Sequence, residues 1–240
     1  MEKKSRIEII DGLRGLAVVL MVIHHMLYNA AEFLGAPWWL FTNPVFDILQ
    51  YIFAGLFIFL SGVSSRFSRS NIRRGLIACA LAMGITIVTN IIDMPIWFGV
   101  LHLLGFCMLF FGLTRKFWDL IPRTAAPLIF TALIVAGALA RANIAPAPDQ
   151  TWAGYLISVL GWRQPGFISY DYYPILPWIF VFLLGTWSGL YINERKLPER
   201  FYTQKVSVFP IVGRKALLIY ILHQPVLYGI IQGILLIASE

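Results

Sequence analysis

The four histidines of this chain, His24, His25, His102 and His223, all fall inside long apolar runs. An imidazole at bilayer depth is costly in hydrocarbon and normally faces a protein interior or a water-filled cavity, so each one marks a candidate site. Imidazole titrates near neutrality and can take a proton from a hydroxyl or an amine, which makes general-base chemistry the first expectation. At the helical rise per residue, His25 stands about 16 Å above Arg14, His223 about 14 Å above Arg214, and His102 about 20 Å from Arg115 on a descending helix. Three separate helices are therefore expected to offer imidazoles at similar depth near mid-membrane. The eleven residues from Arg14 to His25 are close to three helical turns, so the two share a face. His24 lies about 100° round the helix from His25 and is expected to pack against a neighbouring span.

Carboxylates supply the second half of an acid/base set. Asp47, Asp93 and Asp171 fall at the outer ends of apolar runs, whereas Asp11 lies at the foot of the first. Asp11 reads as an N-cap and Asp93 as a solvated helix end. Asp171, within Tyr170-Asp171-Tyr172-Tyr173-Pro174 ahead of a span, is the candidate to orient a histidine or a substrate hydroxyl. Cys79 and Cys107 sit in apolar runs with no C-x-x-C and no His/Cys cluster at zinc spacing, so they read as small packing residues and no metal site is expected.

The elements that must position these groups are membrane helices. A chain of 240 residues that is 59% hydrophobic and 13% charged cannot wrap a polar skin round one soluble core. Against the ~20 residues that cross ~30 Å of hydrocarbon, apolar stretches fall near 13–31, 46–65, 72–92, 97–114, 125–142, 174–192 and 213–238. These are long runs rather than short alternating segments. The expected fold is thus all-α, a polytopic bundle of about seven transmembrane helices in a single domain, and not a barrel.

The net charge of +7 would suggest nucleic acid only if the basic residues lined one soluble face; they lie between apolar runs, so no nucleic acid is expected. Of the 19 basic residues, all but Arg141 and Arg163 fall on one side of the expected topology. By the positive-inside rule the N-terminus is cytoplasmic and Glu240 lies outside. Lys3, Lys4 and Arg6 ahead of an apolar run resemble a secretory signal, but the first helix is expected to be retained. Outward segments are aromatic: Trp38 and Trp39 in 32–45, and Pro146, Pro148, Trp152, Trp162 and Tyr170 to Tyr173 in 143–173. The first reading of such residues is an interfacial belt. The second segment is longer than a connection requires and is expected to cap the outer mouth.

Four blocks carry a family resemblance: Ile10-Asp11-Gly12-Leu13-Arg14-Gly15-Leu16-Ala17 leading to His25; Phe98-Gly99-Val100-Leu101-His102-Leu103-Leu104-Gly105; Asp171-Tyr172-Tyr173-Pro174-Ile175-Leu176-Pro177-Trp178; and Gly213-Arg214 followed by Leu218 to Pro225 with His223. Together they resemble bacterial members of the heparan-alpha-glucosaminide N-acetyltransferase catalytic family. The Arg14-x10-His25 spacing also resembles the wider group of transmembrane acyltransferases that O-acetylate surface polysaccharides. The animal enzymes carry a histidine in the outer loop after the first span, whereas residues 32–45 here have none.

The resemblance implies an acetyl group carried from cytoplasmic acetyl-CoA to a hydroxyl or amine of a sugar, glycan or small acceptor across the bilayer, in a bacterial inner membrane, with a homodimer as one possible assembly. In that scheme His25, His223 and Asp171 are the catalytic candidates. Arg14, Arg73, Arg74, Arg214 and Lys215 would hold the CoA phosphates. His102, Trp38, Tyr172, Tyr173 and Trp178 would bind the acceptor. Two other classes stay open on residues alone. Facing imidazoles can hold haem iron, and intramembrane histidines with outer aspartates occur in proton-coupled transporters, although no internal repeat is visible.

Overall fold

In the computed structural model the described residues are 6–144 and 151–238. They contain α-helices and one 3-10 turn, and no strand. The helices are α1 (Glu8–Leu34), α2 (Pro44–Phe67), α3 (Asn71–Ile91), α4 (Val100–Trp118), α5 (Ala126–Asn143), α6 (Trp152–Leu160), α7 (Ile175–Asn193), α8 (Glu199–Thr203), α9 (Phe209–Arg214) and α10 (Ala216–Ala238). Seven segments among the described residues are long and apolar enough to cross a membrane: α1, α2 with the 3-10 turn Trp38–Leu40 ahead of it, α3, α4, α5, α7 and α10. They coincide with the seven expected stretches, and the chain is an integral membrane protein.

Helix ends differ from expectation where local chemistry intervenes. The first helix starts at Glu8, ahead of the charged turn, so Asp11 lies inside its first turn and Ile7 holds the N-cap position. The N-cap reading of Asp11 is thereby corrected. At the other end Gly35 takes a left-handed φ of 70° and its N–H bonds the Ala30 carbonyl, which closes α1. Ser70 caps α3 by accepting from the Arg73 amide, and Thr151 caps α6 by accepting from the Gly154 amide. The last stretch breaks at Lys215 into short α9 and long α10, so Gly213 and Arg214 belong to a separate turn of helix. Leu176, which precedes Pro177, is extended within the first turn of α7, as residues before proline tend to be. The aromatic outward segment holds the nine-residue α6. Pro146 and Pro148, like Lys3 and Lys4, lie outside the described residues.

The chain folds as two compact units, one of residues 1–57 and 197–240, the other of 58–196. In the first, α1 packs on α9 and α10. The α1–α9 contact is made of glycine. A Cβ on Gly15 would overlap the Phe209 carbonyl, and one on Gly213 would overlap the Asp11 carbonyl. Membrane helices gain little from burying apolar surface against each other, so close van der Waals approach over small residues is what holds such a pair. Asp93, at the end of α3 in the second unit, is exposed as expected.

In the second unit α4 and α7 are the inner helices, each with 44% of its spanning window buried. Phe111 and Phe182 meet edge to face at 6.3 Å with both side chains fully buried, beside Leu103, Leu183, Ile58 and Val63. α3 packs along α4, where a Cβ on Gly105 would meet Cys79, and α5 packs along α7. Cys107 is buried in the same core, as a packing residue would be.

Substituting Gly213 by alanine should force α9 off α1 and cost about 1–3 kcal/mol, the usual range for overpacking. Gly229, whose Cβ would meet nothing within 4 Å, serves as the control. Alanine there should be neutral or stabilising by up to ~1 kcal/mol. Thermal unfolding of both variants in detergent tests this, and a Gly229→Ala as unstable as Gly213→Ala would count against the packing argument.

Candidate active site

The polar residues of the first unit form two layers along α1. At the foot, the close approach at Gly15 and Gly213 sets the carboxylate of Asp11 between two arginines. Oδ1 pairs with Arg14 Nη1 at 2.9 Å and Oδ2 with Arg214 Nε at 3.5 Å. The Asp11 side chain is only 13% exposed, so this joint is largely shielded from water. Beside it, Glu8 accepts from the Val206 amide at 3.0 Å and pairs with Lys205 at 3.5 Å. Arg214 and Lys215 are exposed. Arg14 and Arg214 are thus brought together, through a carboxylate that sequence reading had given only a capping role.

Further along α1 the imidazoles of His25 and His223 meet with ring centroids 4.9 Å apart at an interplanar angle of 66°. His25 Nδ1 lies 3.0 Å from the Met21 carbonyl and His223 Nδ1 lies 2.7 Å from the Tyr220 carbonyl. A carbonyl can only accept, so in the neutral rings both Nδ1 atoms carry the proton and both Nε2 atoms present a lone pair. The Nε2 of His223 is buried and has no hydrogen-bond partner among the described residues. A buried polar atom without a partner is costly and calls for an explanation, and one is that a ligand supplies the missing donor.

One turn beyond His25, Asn29 is 2% exposed and donates through Nδ2 to Oε1 of Gln224, the neighbour of His223, at 3.0 Å. This bond fixes the register of α1 against α10 where the imidazoles meet. Sequence reading missed it, although Asn29 and Gln224 are polar residues in apolar runs and the rule that singled out the histidines applies to them equally. Proline at 225 removes the next backbone donor of α10, two residues past His223. His24 stacks on Phe41 at 4.8 Å, on the aromatic turn that also holds Trp38 against Tyr28 at 6.1 Å. Trp38 is half exposed.

The remaining candidates belong to the second unit. His102 lies in the first turn of α4, which begins at Val100. Its Nε2 is 3.0 Å from the Thr86 hydroxyl, which donates its single proton to the Ile96 carbonyl at 2.8 Å. Nε2 of His102 is therefore the donor and Nδ1 carries the lone pair. Asp171 accepts from the Val100 amide at 3.1 Å and so caps α4 from a distant segment. That segment is held by the Tyr170 amide on the Pro95 carbonyl and the Tyr173 amide on the Phe98 carbonyl.

Tyr173 and Trp178 are buried against each other at 5.6 Å. Tyr172 donates to the Ser158 carbonyl at 2.5 Å and lies under the Arg163 guanidinium at 4.3 Å. Burial raises its phenol above the ordinary value, against the lowering pull of Arg141 and Arg163. Arg73 and Arg74 are exposed in the first turn of α3. Sequence reading also missed Arg66, whose side chain is 2% exposed; it had counted only as a loop charge.

The family model described as "Heparan-alpha-glucosaminide N-acetyltransferase, catalytic" matches residues 6–225 and so runs through both units. No curated protein and no solved structure matches the chain.

If the Asn29–Gln224 bond sets the meeting of the imidazoles, the two residues are energetically coupled. Asn29→Ala, Gln224→Ala and the double variant should give a coupling energy in the range of about 0.5–3 kcal/mol for residues sharing a hydrogen bond. Additive losses in detergent unfolding would show that the bond carries no such weight.

Proposed function

Since the chain belongs to the heparan-alpha-glucosaminide N-acetyltransferase catalytic family and is therefore a transmembrane acetyltransferase, we propose that it moves an acetyl group from cytoplasmic acetyl-CoA to a hydroxyl or amine of a sugar-type acceptor on the far side of a bacterial inner membrane. The observation that carries the assignment of the site is the His25–His223 pair, with both Nδ1 protons held by the protein's own carbonyls and the Nε2 of His223 buried without a partner among the described residues. Neutral imidazoles held in this tautomer are what a general base requires.

In the proposed step His25 Nε2 takes the proton from the acceptor as its oxygen or nitrogen attacks the thioester carbonyl. The carbon–sulfur bond breaks, the new carbon–oxygen or carbon–nitrogen bond forms, and the proton passes from His25 to the departing thiolate. His223 Nε2, buried and in want of a donor, orients the acceptor through a second N–H or O–H. Arg14 and Arg214 hold the donor's phosphates at the foot of the unit, their guanidiniums preset by Asp11. A haem reading fits the pair poorly, since rings already in edge contact at 4.9 Å leave no space between them for an iron.

Purified protein incubated in detergent with radiolabelled acetyl-CoA and a panel of sugars and amines should transfer label. Absence of both transfer and CoA hydrolysis would overturn the proposal. His25→Ala should lower turnover by about 10²–10⁴, the usual cost of removing a general base, and leave folding and donor binding intact. His24→Ala should cost stability rather than turnover, and the reverse ranking would sink the assignment. Arg14→Ala should raise the apparent KM for acetyl-CoA; unchanged donor affinity by calorimetry in both the Arg14 and Arg214 variants would refute the phosphate role.

A further inference from the structure

At one end of the second unit, the close of α2, the end of α4, α5 and α7 enclose a cavity of about 180 Å³. One water needs only ~10–15 Å³ on this measure, so the space takes a ligand group of several heavy atoms. Its charged lining is Arg66, Arg123 and Asp119, and its walls include the indoles of Trp118 and Trp187.

Arg66 is the decisive residue. The side chain is 2% exposed, its Nε donates to the Thr186 carbonyl at 2.9 Å, and the guanidinium lies over the Phe111 ring at 4.8 Å. Nη1 approaches Asp119 Oδ1 to 2.7 Å, yet it forms no hydrogen bond of acceptable geometry among the described residues. The charge is therefore paired, and a buried guanidinium with five N–H donors has capacity beyond the Thr186 carbonyl and the single Asp119 carboxylate that it meets.

The same carboxylate is shared with Arg115 at 3.4 Å, and Glu194 is shared between Arg123 and Lys196, each at 2.7 Å. Those two cations hold the exposed Glu194 carboxyl below its ordinary value. Four cations thus divide two carboxylates, and of these groups Arg66, Arg123 and Asp119 line the cavity, which leaves its wall with a surplus of one positive charge.

We infer that this cavity binds the phosphate of an amphipathic phosphate ester, with the phosphate on Arg66 and Arg123 and the ester's flat or apolar part against Trp118 and Trp187. A phosphate supplies the acceptor oxygens that a planar guanidinium engages in pairs, and it carries the charge that the surplus calls for. Indole walls would be wasted on a bare inorganic ion. The headgroup of an anionic lipid and the phosphates of a soluble nucleotide share this chemistry, since basic pockets between membrane helices take lipid headgroups. The inference stands apart from the acetyl-transfer reading, because it concerns other residues and a binding readout.

Full-length protein is titrated with ADP in detergent, and separately reconstituted in nanodiscs of phosphatidylcholine with or without phosphatidylglycerol; the thermal midpoint and retained lipid by native mass spectrometry are the readouts. A stabilising response to phosphatidylglycerol assigns the lipid source, and one to ADP the soluble source. In either case Arg123→Gln should weaken the response about tenfold or more, the loss expected when a charged hydrogen bond is removed. Arg66→Gln should abolish it where that variant folds; Arg123 is half exposed, so its variant keeps the test available. Arg200→Gln, an exposed arginine outside both this cavity and the proposed donor site, should respond as wild type. No response of the wild type to either ligand, or an Arg123→Gln response equal to wild type, overturns the inference.

Discussion

Everything assigned to the first unit depends on two helices touching backbone to backbone. At Gly15 and Gly213 there is no space for even one methyl group, so α9 lies directly on α1. That distance decides the electrostatics. It lets Asp11 reach Arg214 across the joint while pairing with Arg14 on its own helix. A larger residue at either glycine would separate Arg214 from the carboxylate it shares with Arg14. The arginines are consequently held as a pair by one negative charge, which keeps a net positive foot for an anion without leaving two guanidiniums to repel each other.

The imidazole layer rests on that same pairing of α1 with the C-terminal segment. Once α9 is docked, α10 follows after a one-residue break at Lys215, and the Asn29–Gln224 bond fixes its register. Each histidine then spends its Nδ1 proton on a carbonyl of its own helix, which leaves Nε2 as the basic atom. Among the described residues the Nε2 of His223 is buried there without a hydrogen-bond partner. An orphaned acceptor beside a second imidazole is poor design for a scaffold and good design for a site that receives a donor.

Hydrophobic run length made the spans legible, since each crossing needs a continuous apolar stretch whatever its partners are. The pairing of His25 with His223 was legible too, through polar residues placed where lipid forbids them. Four things were not. Asp11 reads as a cap from its type and position, and only the glycine joint, a long-range contact, shows its two arginine partners. The start of α4 at Val100 was not legible, because it is set by Asp171, distant in sequence. Arg66 has the same type and setting as the loop arginines near it, and burial cannot be read from a charge at a helix end. Trp178 and Tyr173 likewise look like interfacial aromatics until their packing against each other is seen.

The four motif blocks resolve into two joints rather than one string of catalytic letters. The block at 10–25 meets the block at 213–225 through Gly15 with Gly213, Asp11 with Arg214, and His25 with His223. The block at 98–105 meets the block at 171–178 through the Asp171 carboxylate on the Val100 amide and the Tyr173 amide on the Phe98 carbonyl. Gly99 belongs to the second joint for the same reason that Gly15 belongs to the first, because a Cβ there would run into the Asp171 carboxylate. Each joint couples an imidazole-bearing helix to a distant segment by a buried or half-buried carboxylate and a glycine. Asp171 therefore acts on His102 by fixing where α4 begins, and Asp11 acts on His25 by fixing where α9 docks. In both joints the carboxylate holds a distant segment in place, and the proton transfer proposed above calls on the imidazoles rather than on either carboxylate.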